Sequence, residues 1–308
     1  MTPCVMTSDI YMIKKYLNKL ASLFNSKIIS LLQSINKNLS YIVEQLRPKD
    51  EEQKTLCCKY EDNDELKIYQ GYDIIITDGI KIHVPLLREI NEYGEKAYYS
   101  MVYTLCSVGA DLKWQLDDIG VDYTQIDDFE LFYSLLSRSY SKEQTRMLFG
   151  DVLDFSEMQL MYNNNLQENV LVQFFDDETY IQIDRYVYNA IVSTLRKIHR
   201  IKRNDEIPGN EATRQILIED ARDEYEENKN KPAKPYLLPL VSAMVNSTGF
   251  KRDDKSVFGM NIYAFMDSVA RISKIKNSEL LLQSGYSGFG IDLKKVNSDE
   301  TNWLGELS

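Results

Sequence analysis

Four pairs of adjacent aspartates are the residues of this chain best suited to metal chemistry, because paired carboxylates can hold Mg²⁺. The pairs are Asp117-Asp118, Asp127-Asp128, Asp176-Asp177 and Asp253-Asp254. They lie next to turns and predicted helix starts, where acidic side chains stabilise the helix N-terminus. None has a third ligand at a recognisable spacing. We therefore expect no metal site, and a metal-dependent enzyme acting on nucleic acid is the least favoured of three functional hypotheses.

Other residue types that support catalysis are scarce. The glycine-rich stretch 285–290 neither follows a strand nor opens a helix, and it lacks the Lys and Ser/Thr of a phosphate-binding loop, so it predicts a turn. The chain has two histidines, His83 and His199, and four cysteines, of which Cys57 and Cys58 are adjacent. Adjacent cysteines suit neither an ordinary disulfide nor a CxxC metal site. We expect a non-enzymatic protein with no cofactor, in a reducing compartment.

The basic run 196–203, RKIHRIKR, is the strongest candidate for binding a polyanion. At helical spacing Arg196, Arg200 and Arg203 share one face, which would suit nucleic acid or an acidic partner. The alternative is a helix C-terminus, where cations favour the helix dipole, paired with the acidic stretch 219–227. The alternative is favoured, and the three arginines are kept as interaction candidates.

The first 47 residues differ chemically from the remainder. Apolar residues between positions 10 and 46 recur in ten steps over 36 residues, a mean spacing of 3.6 that predicts one long amphipathic helix or two antiparallel helices. Residues 1–47 carry a net charge of +4, which leaves −15 for residues 48–308. The apolar stripe must pack on a partner helix, on the body or on a membrane surface. The interaction candidates on this stripe are Ile13, Leu17, Leu20, Phe24, Leu31 and Ile35.

Charge and composition divide the chain into three parts. A basic amphipathic helical segment, residues 1–47, is followed by an acidic polar linker, residues 48–65, and by an acidic body, residues 66–308, with a sub-boundary near residues 204–210. The acidic balance argues against nucleic acid as a partner of the body. No uninterrupted apolar run reaches 18 residues, so we expect no transmembrane segment.

Two β-hairpins are the clearest local signals in the body. Residues 72–76 and 80–84 flank Thr77-Asp78-Gly79, and Asp-Gly favours the positive φ angles of a tight turn. Residues 158–162 and 170–174 flank an asparagine turn, and residues 180–183 would add a third strand. Helical periodicity marks residues 86–105, 111–119, 127–137, 142–149, 184–201, 211–228, 236–246 and 261–276. The predicted class is α+β, predominantly α-helical with small antiparallel β-hairpins and a long N-terminal amphipathic helix.

Five stretches of the body together resemble phage proteins encoded in tail-gene modules, of the tail assembly chaperone type. They are residues 72–95 (YDIIITDGIKIHVPLLREINEYGE), 115–122 (QLDDIGVD), 127–132 (DDFELF), 264–272 (AFMDSVARI) and 302–305 (NWLG). The resemblance covers about residues 66–308. It implies a protein that binds the tape-measure protein and helps to polymerise the tail tube, in the host cytoplasm during assembly, and it assigns no catalytic residues.

Three functional hypotheses follow, in descending order. The first is a non-enzymatic phage tail assembly protein, chaperone-like or structural, that self-associates or binds tape-measure or tail proteins and stays in the cytoplasm or enters the virion. The second is a regulatory or counter-defence module that sequesters a host protein. The third is the metal-dependent enzyme discussed above. The N-terminal segment lies outside the family pattern, which suggests an added oligomerisation or docking element.

Overall fold

The computed structural model describes residues 65–176, 179–232, 234–287 and 290–307. In these ranges the strands are β1 (Ile74–Thr77), β2 (Ile80–Ile82), β3 (Gln159–Asn163), β4 (Glu168–Phe174) and β5 (Tyr180–Ile183). The α-helices are α1 (Glu65–Gln70), α2 (Leu87–Tyr93), α3 (Glu95–Cys106), α4 (Lys113–Asp118), α5 (Asp128–Leu131), α6 (Lys142–Phe149), α7 (Arg185–His199), α8 (Glu211–Asn228), α9 (Leu237–Val245), α10 (Ile262–Tyr286) and α11 (Ser298–Thr301). The α+β prediction for the body is confirmed; the predicted N-terminal helix lies outside the described residues.

The first predicted hairpin is confirmed. Strands β1 and β2 pair antiparallel, with Ile74 opposite Ile82, and Gly79 occupies the turn at φ +92°. Ile74 and Ile76 are buried whereas Ile75 is exposed, as period-2 alternation requires. The strands are shorter than the predicted ranges, and β2 ends at Ile82 because the next N–H, that of His83, donates to the Leu148 carbonyl at 2.7 Å instead of to β1.

The second predicted hairpin and its third strand are also confirmed. They form one antiparallel sheet in the order β3-β4-β5. One row of the sheet joins Leu160, Leu171 and Ile183 across the three strands. Leu171 and Ile183 belong to the hydrophobic core and Leu160 packs against it, so this row lies on the inner face of the sheet.

The predicted helix 86–105 is wrong as one element. It divides at Gly94 into α2 and α3, and Gly94 has φ +97°, an angle that side chains with a Cβ rarely adopt. Glu89 caps the first helix by accepting a hydrogen bond from the backbone N–H of Leu86 at 2.7 Å. The buried residues of both helices belong to the same hydrophobic core.

Three other predicted helices need corrected bounds. Residues 127–137 form α5, followed by a π-helical turn, Phe132–Leu136, and a 3₁₀ turn, Ser137–Ser139. Residues 111–119 form the end of a 3₁₀ turn, Gly109–Leu112, followed by α4. Helix α10 continues ten residues beyond the predicted end at 276 and includes Gly285, so the predicted turn at 285–290 begins later.

Helix α7 is the centre of the core. It packs against α3, against both strands of the first hairpin, against β5 and against α10. Its buried side chains include Val187, Ile191, Leu195 and Ile198, at helical spacing. Asp184 caps its N-terminus by accepting from the Val187 N–H at 2.9 Å. Because α7 contacts elements from both ends of the body, the described residues share one continuous core.

A close approach at Gly109 gives a first testable prediction. A Cβ built on Gly109 would lie 2.3 Å from the backbone oxygen of Tyr123, whereas one built on Gly209 would meet nothing within 4 Å. We expect Gly109→Ala to lower the free energy of unfolding by about 2–3 kcal/mol, since backbone must move to admit the methyl group. Gly209→Ala should leave it unchanged or raise it by up to about 1 kcal/mol. Urea denaturation measures both, and equal stability of the two variants would contradict the described packing.

Candidate interaction surfaces

The three candidate arginines do not form one surface. Helix α7 ends at His199 and Arg200 has φ 53°, ψ 39°, in the left-handed region, so the chain leaves the helical path before Arg203. The guanidinium of Arg196 donates to the backbone oxygen of Cys106 at 2.5 Å. The predicted helical face that would include Arg203 is therefore wrong, because Arg203 lies beyond the end of α7.

Each of the other two arginines pairs with an aspartate that is distant in the sequence. Arg200 donates to Asp267 on α10 at 2.7 Å, and its guanidinium lies 5.4 Å from the centre of the Tyr263 ring. Arg203 donates to Asp128 at 2.7 Å and also pairs with Asp205. These contacts tie the end of α7 to α10 and α5. They favour a structural role over polyanion binding for this run.

The acidic helix α8 is not the partner of the basic run in these contacts. Its Arg222 pairs instead with Asp118 at 2.6 Å and stacks over Trp114, 5.5 Å from the ring centre. The rings of Trp114 and Tyr225 are 4.9 Å apart. The helix therefore docks on α4 through an aromatic and cationic contact. Its carboxylates at residues 219, 220, 223, 224, 226 and 227 are exposed.

At least one aspartate of each pair accepts a hydrogen bond in a turn or helix cap or forms an ion pair. Asp127 caps α5 and receives a hydrogen bond from Arg185 at 2.7 Å. Burial would raise the pKa of Asp127, but the hydrogen bonds from Arg185 and from the helix N-terminus outweigh it and lower the pKa. Asp253 accepts from the backbone and hydroxyl of Ser256. Within the described ranges, no group of three His, Cys, Asp or Glu side chains could hold a metal ion.

His83 lies between two carboxylates that the sequence reasoning missed. Its Nδ1 is 2.7 Å from Asp73 and its Nε2 is 3.1 Å from Glu89, while Lys81 donates to Asp73 at 3.0 Å. Burial alone would lower the pKa of His83, but the two carboxylate hydrogen bonds outweigh it and raise the pKa above 6.5. The imidazole thus links the open end of the first hairpin to helix α2. These contacts favour a structural role for His83 over a catalytic one.

The second histidine belongs to the core and not to the basic run. His199 is 8% exposed, its Nδ1 donates to the Leu195 carbonyl at 2.7 Å, and its Nε2 accepts from the hydroxyl of Tyr98. Burial disfavours the imidazolium and lowers the pKa of His199 to about 4. His199 is therefore neutral at physiological pH and contributes no charge to an anion-binding patch.

Five large apolar side chains on α10 and on the chain after it are exposed. We name this region the C-terminal surface and define it by Leu280, Tyr286, Ile291, Trp303 and Leu304. Leu280 is 65% exposed, Tyr286 81% and Leu304 73%. Large apolar residues are often exposed singly on a protein surface, and several on one helix and the segment packed against it make this region a candidate contact surface.

The C-terminal surface is held in place by polar contacts to backbone carbonyls. Arg271 on α10 donates to the oxygens of Trp303 and Gly305 at 2.6 and 2.8 Å. The buried hydroxyl of Ser278 donates to the Thr301 oxygen at 2.7 Å. These bonds fix the backbone of residues 301–305 against the helix and leave the Trp303 and Leu304 side chains facing outward.

The candidates Ile13, Leu17, Leu20, Phe24, Leu31 and Ile35 lie outside the described residues. Among the helices that are described, none is long and apolar enough to cross a membrane. The chain matches no known family model, no curated protein and no solved structure at a significant level.

Proposed function

We propose that this chain is a non-enzymatic phage tail assembly protein, chaperone-like or structural, that acts through protein–protein contacts. The observation that carries the proposal is the C-terminal surface. Its side chains are large and apolar, and those of Leu280, Tyr286 and Leu304 are largely exposed to solvent. The proposed partners are a second copy of the chain, the tape-measure protein or tail proteins, met in the host cytoplasm during assembly or retained in the virion.

The contacts within the C-terminal surface also support the proposal. Two of the stretches that carry the resemblance to tail assembly chaperones are residues 264–272 and 302–305. They meet in the structure, because Arg271 in the first donates to the Trp303 and Gly305 oxygens in the second. The resemblance thus includes two segments about 30 residues apart that build one surface.

Binding to tail proteins is the direct test of this function. We expect overlapping segments of the tape-measure protein encoded with this chain to bind the full-length protein, measured by isothermal titration calorimetry. Leu304→Asp and Leu280→Asp should weaken binding at least about tenfold, because a carboxylate would replace an exposed apolar side chain at the proposed contact. Both side chains are exposed, so the substitutions should leave the fold intact.

The matched control is Ile207→Asp, which changes an apolar side chain that is 86% exposed but lies between α7 and α8. It should bind as the unaltered protein does. Light scattering coupled to size exclusion would detect a second copy as the partner. A strict monomer that binds no tape-measure segment or tail protein overturns the proposal, and specific binding of a host enzyme would instead favour the regulatory or counter-defence hypothesis.

A further inference from the structure

The outer face of the second sheet is apolar along its central strand. Side chains alternate between the faces of a strand, so the residues next to the inner Leu171 point outward. Register places Met161 opposite Val170, and Phe174 opposite Tyr180, on this outer face. We name Met161, Val170, Val172, Phe174 and Tyr180 the outer sheet stripe.

Two members of this stripe are buried without belonging to the core. Val170 and Val172 are 2% and 5% exposed. Neither is part of the continuous hydrophobic core that the described residues form. Phe174, two positions further along the same strand, is 45% exposed. A stripe of this kind on the central strand of a three-stranded sheet is complementary to the apolar side of a helix laid across it.

The segment that forms the second sheet carries only negative charges. Residues 151–184, which contain the whole sheet, include eight Asp and Glu and no Lys or Arg. Some of these carboxylates are satisfied locally, since Asp151 pairs with Arg146 and Glu168 with Arg185. Asp176 after β4 accepts from the Thr179 N–H at 2.6 Å, and Glu157 before β3 is exposed at the border of the sheet. The occupant that suits this face is therefore both apolar and basic.

We infer that the outer sheet stripe binds the basic amphipathic segment of the same chain, residues 10–46. That segment combines an apolar stripe at helical spacing with the net charge of +4 found in residues 1–47. Residues 47–64 join it to α1, and 18 residues can reach up to about 60 Å, more than the radius of gyration of about 18 Å expected for a body of this size. The link also gives the segment an effective concentration in the millimolar range, which favours its own sheet over that of a second copy.

Hydrogen exchange on the full chain, read by mass spectrometry, tests this docking. In the unaltered protein we expect residues 10–46 to be protected. The double variant Met161→Lys/Phe174→Lys places cations in the stripe, so exchange in residues 10–46 should accelerate at least about tenfold while helix α7 stays protected. The matched control is Tyr162→Lys, which changes an exposed residue of the same strand that points to the other face.

The reciprocal experiment changes the segment and observes the sheet. Leu31→Asp should raise the rate of hydroxyl-radical oxidation at Met161 several-fold, because the docked segment would no longer shield that side chain. Gln33→Asp, on the polar side of the same periodic pattern, should not. Rapid exchange of residues 10–46 in the unaltered chain, or protection that survives Met161→Lys/Phe174→Lys, would overturn the inference.

Light scattering distinguishes a second copy as the occupant. A dimer that dissociates in Met161→Lys/Phe174→Lys would show that the segment docks between chains, which also overturns the intramolecular arrangement. The inference does not use the C-terminal surface. Leu304→Asp should therefore leave the protection of residues 10–46 unchanged, and failure of the proposed function would be seen separately from failure of this docking.

Discussion

Replacement of Phe155 by alanine should lower the free energy of unfolding by about 3–5 kcal/mol, the range for removing a fully buried aromatic ring. Phe155 is 1% exposed and lies in the segment before β3. Its ring meets that of Phe132 at 5.8 Å and 82°, and that of Phe149 at 5.3 Å and 88°, both edge-to-face. Such pairs add about 0.5–1.5 kcal/mol beyond the area buried. The truncation would therefore remove two ring contacts and leave a cavity between the π-helical turn and α6.

Urea denaturation measures this loss, which should appear as a lower midpoint with an unchanged dependence on denaturant. Phe155→Leu retains most of the volume and should cost less than about 1.5 kcal/mol. The control is Phe175→Ala, because Phe175 is 47% exposed and should change stability by less than about 1 kcal/mol. Equal losses for Phe155→Ala and Phe175→Ala would mean that the ring cluster is not packed as described.

Features of the fold that depend on neighbouring residues could be predicted from the sequence. The Asp78-Gly79 turn specified the first hairpin because only a few residues accept its positive φ. Helix α6 began and ended as predicted, since the Gln144 side chain accepts from the Ser141 N–H at 2.9 Å at its start and Gly150 follows its end with φ +72°. Helix α8 likewise follows the cap Asn210. Each of these signals lies within a few residues of the boundary that it sets.

Contacts between distant residues were not predictable in the same way. Asp267 is 67 residues from Arg200, and Asp128 is 75 residues from Arg203. Helical spacing alone therefore predicted one cationic face, because nothing local indicated that Arg200 would leave the helix in the left-handed conformation. The same limit applies to the C-terminal surface, because the exposure of a side chain depends on how distant segments of the chain pack around it.

The His83 cluster was predictable and was missed. Once the hairpin register pairs Ile74 with Ile82, the flanking residues Asp73 and His83 must lie side by side. Glu89 stands three positions after Leu86, where a glutamate reaches back to a helix N-terminus. Strand register combined with helix capping would thus have placed both carboxylates beside the imidazole.

Acidification should destabilise this protein through His199, and the size of the effect follows from its burial. The pKa of His199 is lowered from 6.5 to about 4 in the folded protein, so the unfolded chain binds a proton between these values that the folded protein does not. Stability is therefore fully present above pH 6.5 and declines as the pH falls toward 4. At 1.36 kcal/mol per pKa unit, the free energy of unfolding falls by about 3 kcal/mol in all. About 2 kcal/mol of this loss should appear between pH 7 and pH 5.

The other histidine has the opposite dependence. The pKa of His83 is raised by Asp73 and Glu89 in spite of burial. Its contribution to the stability of the fold is therefore fully present below pH 6.5 and is lost as the pH rises through its folded pKa.

A variant that lacks His199 separates the two effects. His199→Gln keeps a donor and an acceptor but has no titratable group, so its stability should fall by about 2 kcal/mol less than that of the unaltered protein between pH 7 and pH 5.

Urea denaturation at pH 7, 6 and 5 on both proteins measures this difference, and the carboxylates common to both cancel from it. Tyr98→Phe supplies the matched test of the hydrogen bond itself, since it removes the hydroxyl that donates to Nε2. We expect a loss of about 1–3 kcal/mol at pH 7, where the imidazole is neutral and one buried acceptor is left without its donor. The His199 assignment fails if His199→Gln retains the pH dependence of the unaltered chain, because the proton taken up on unfolding would then belong to another group.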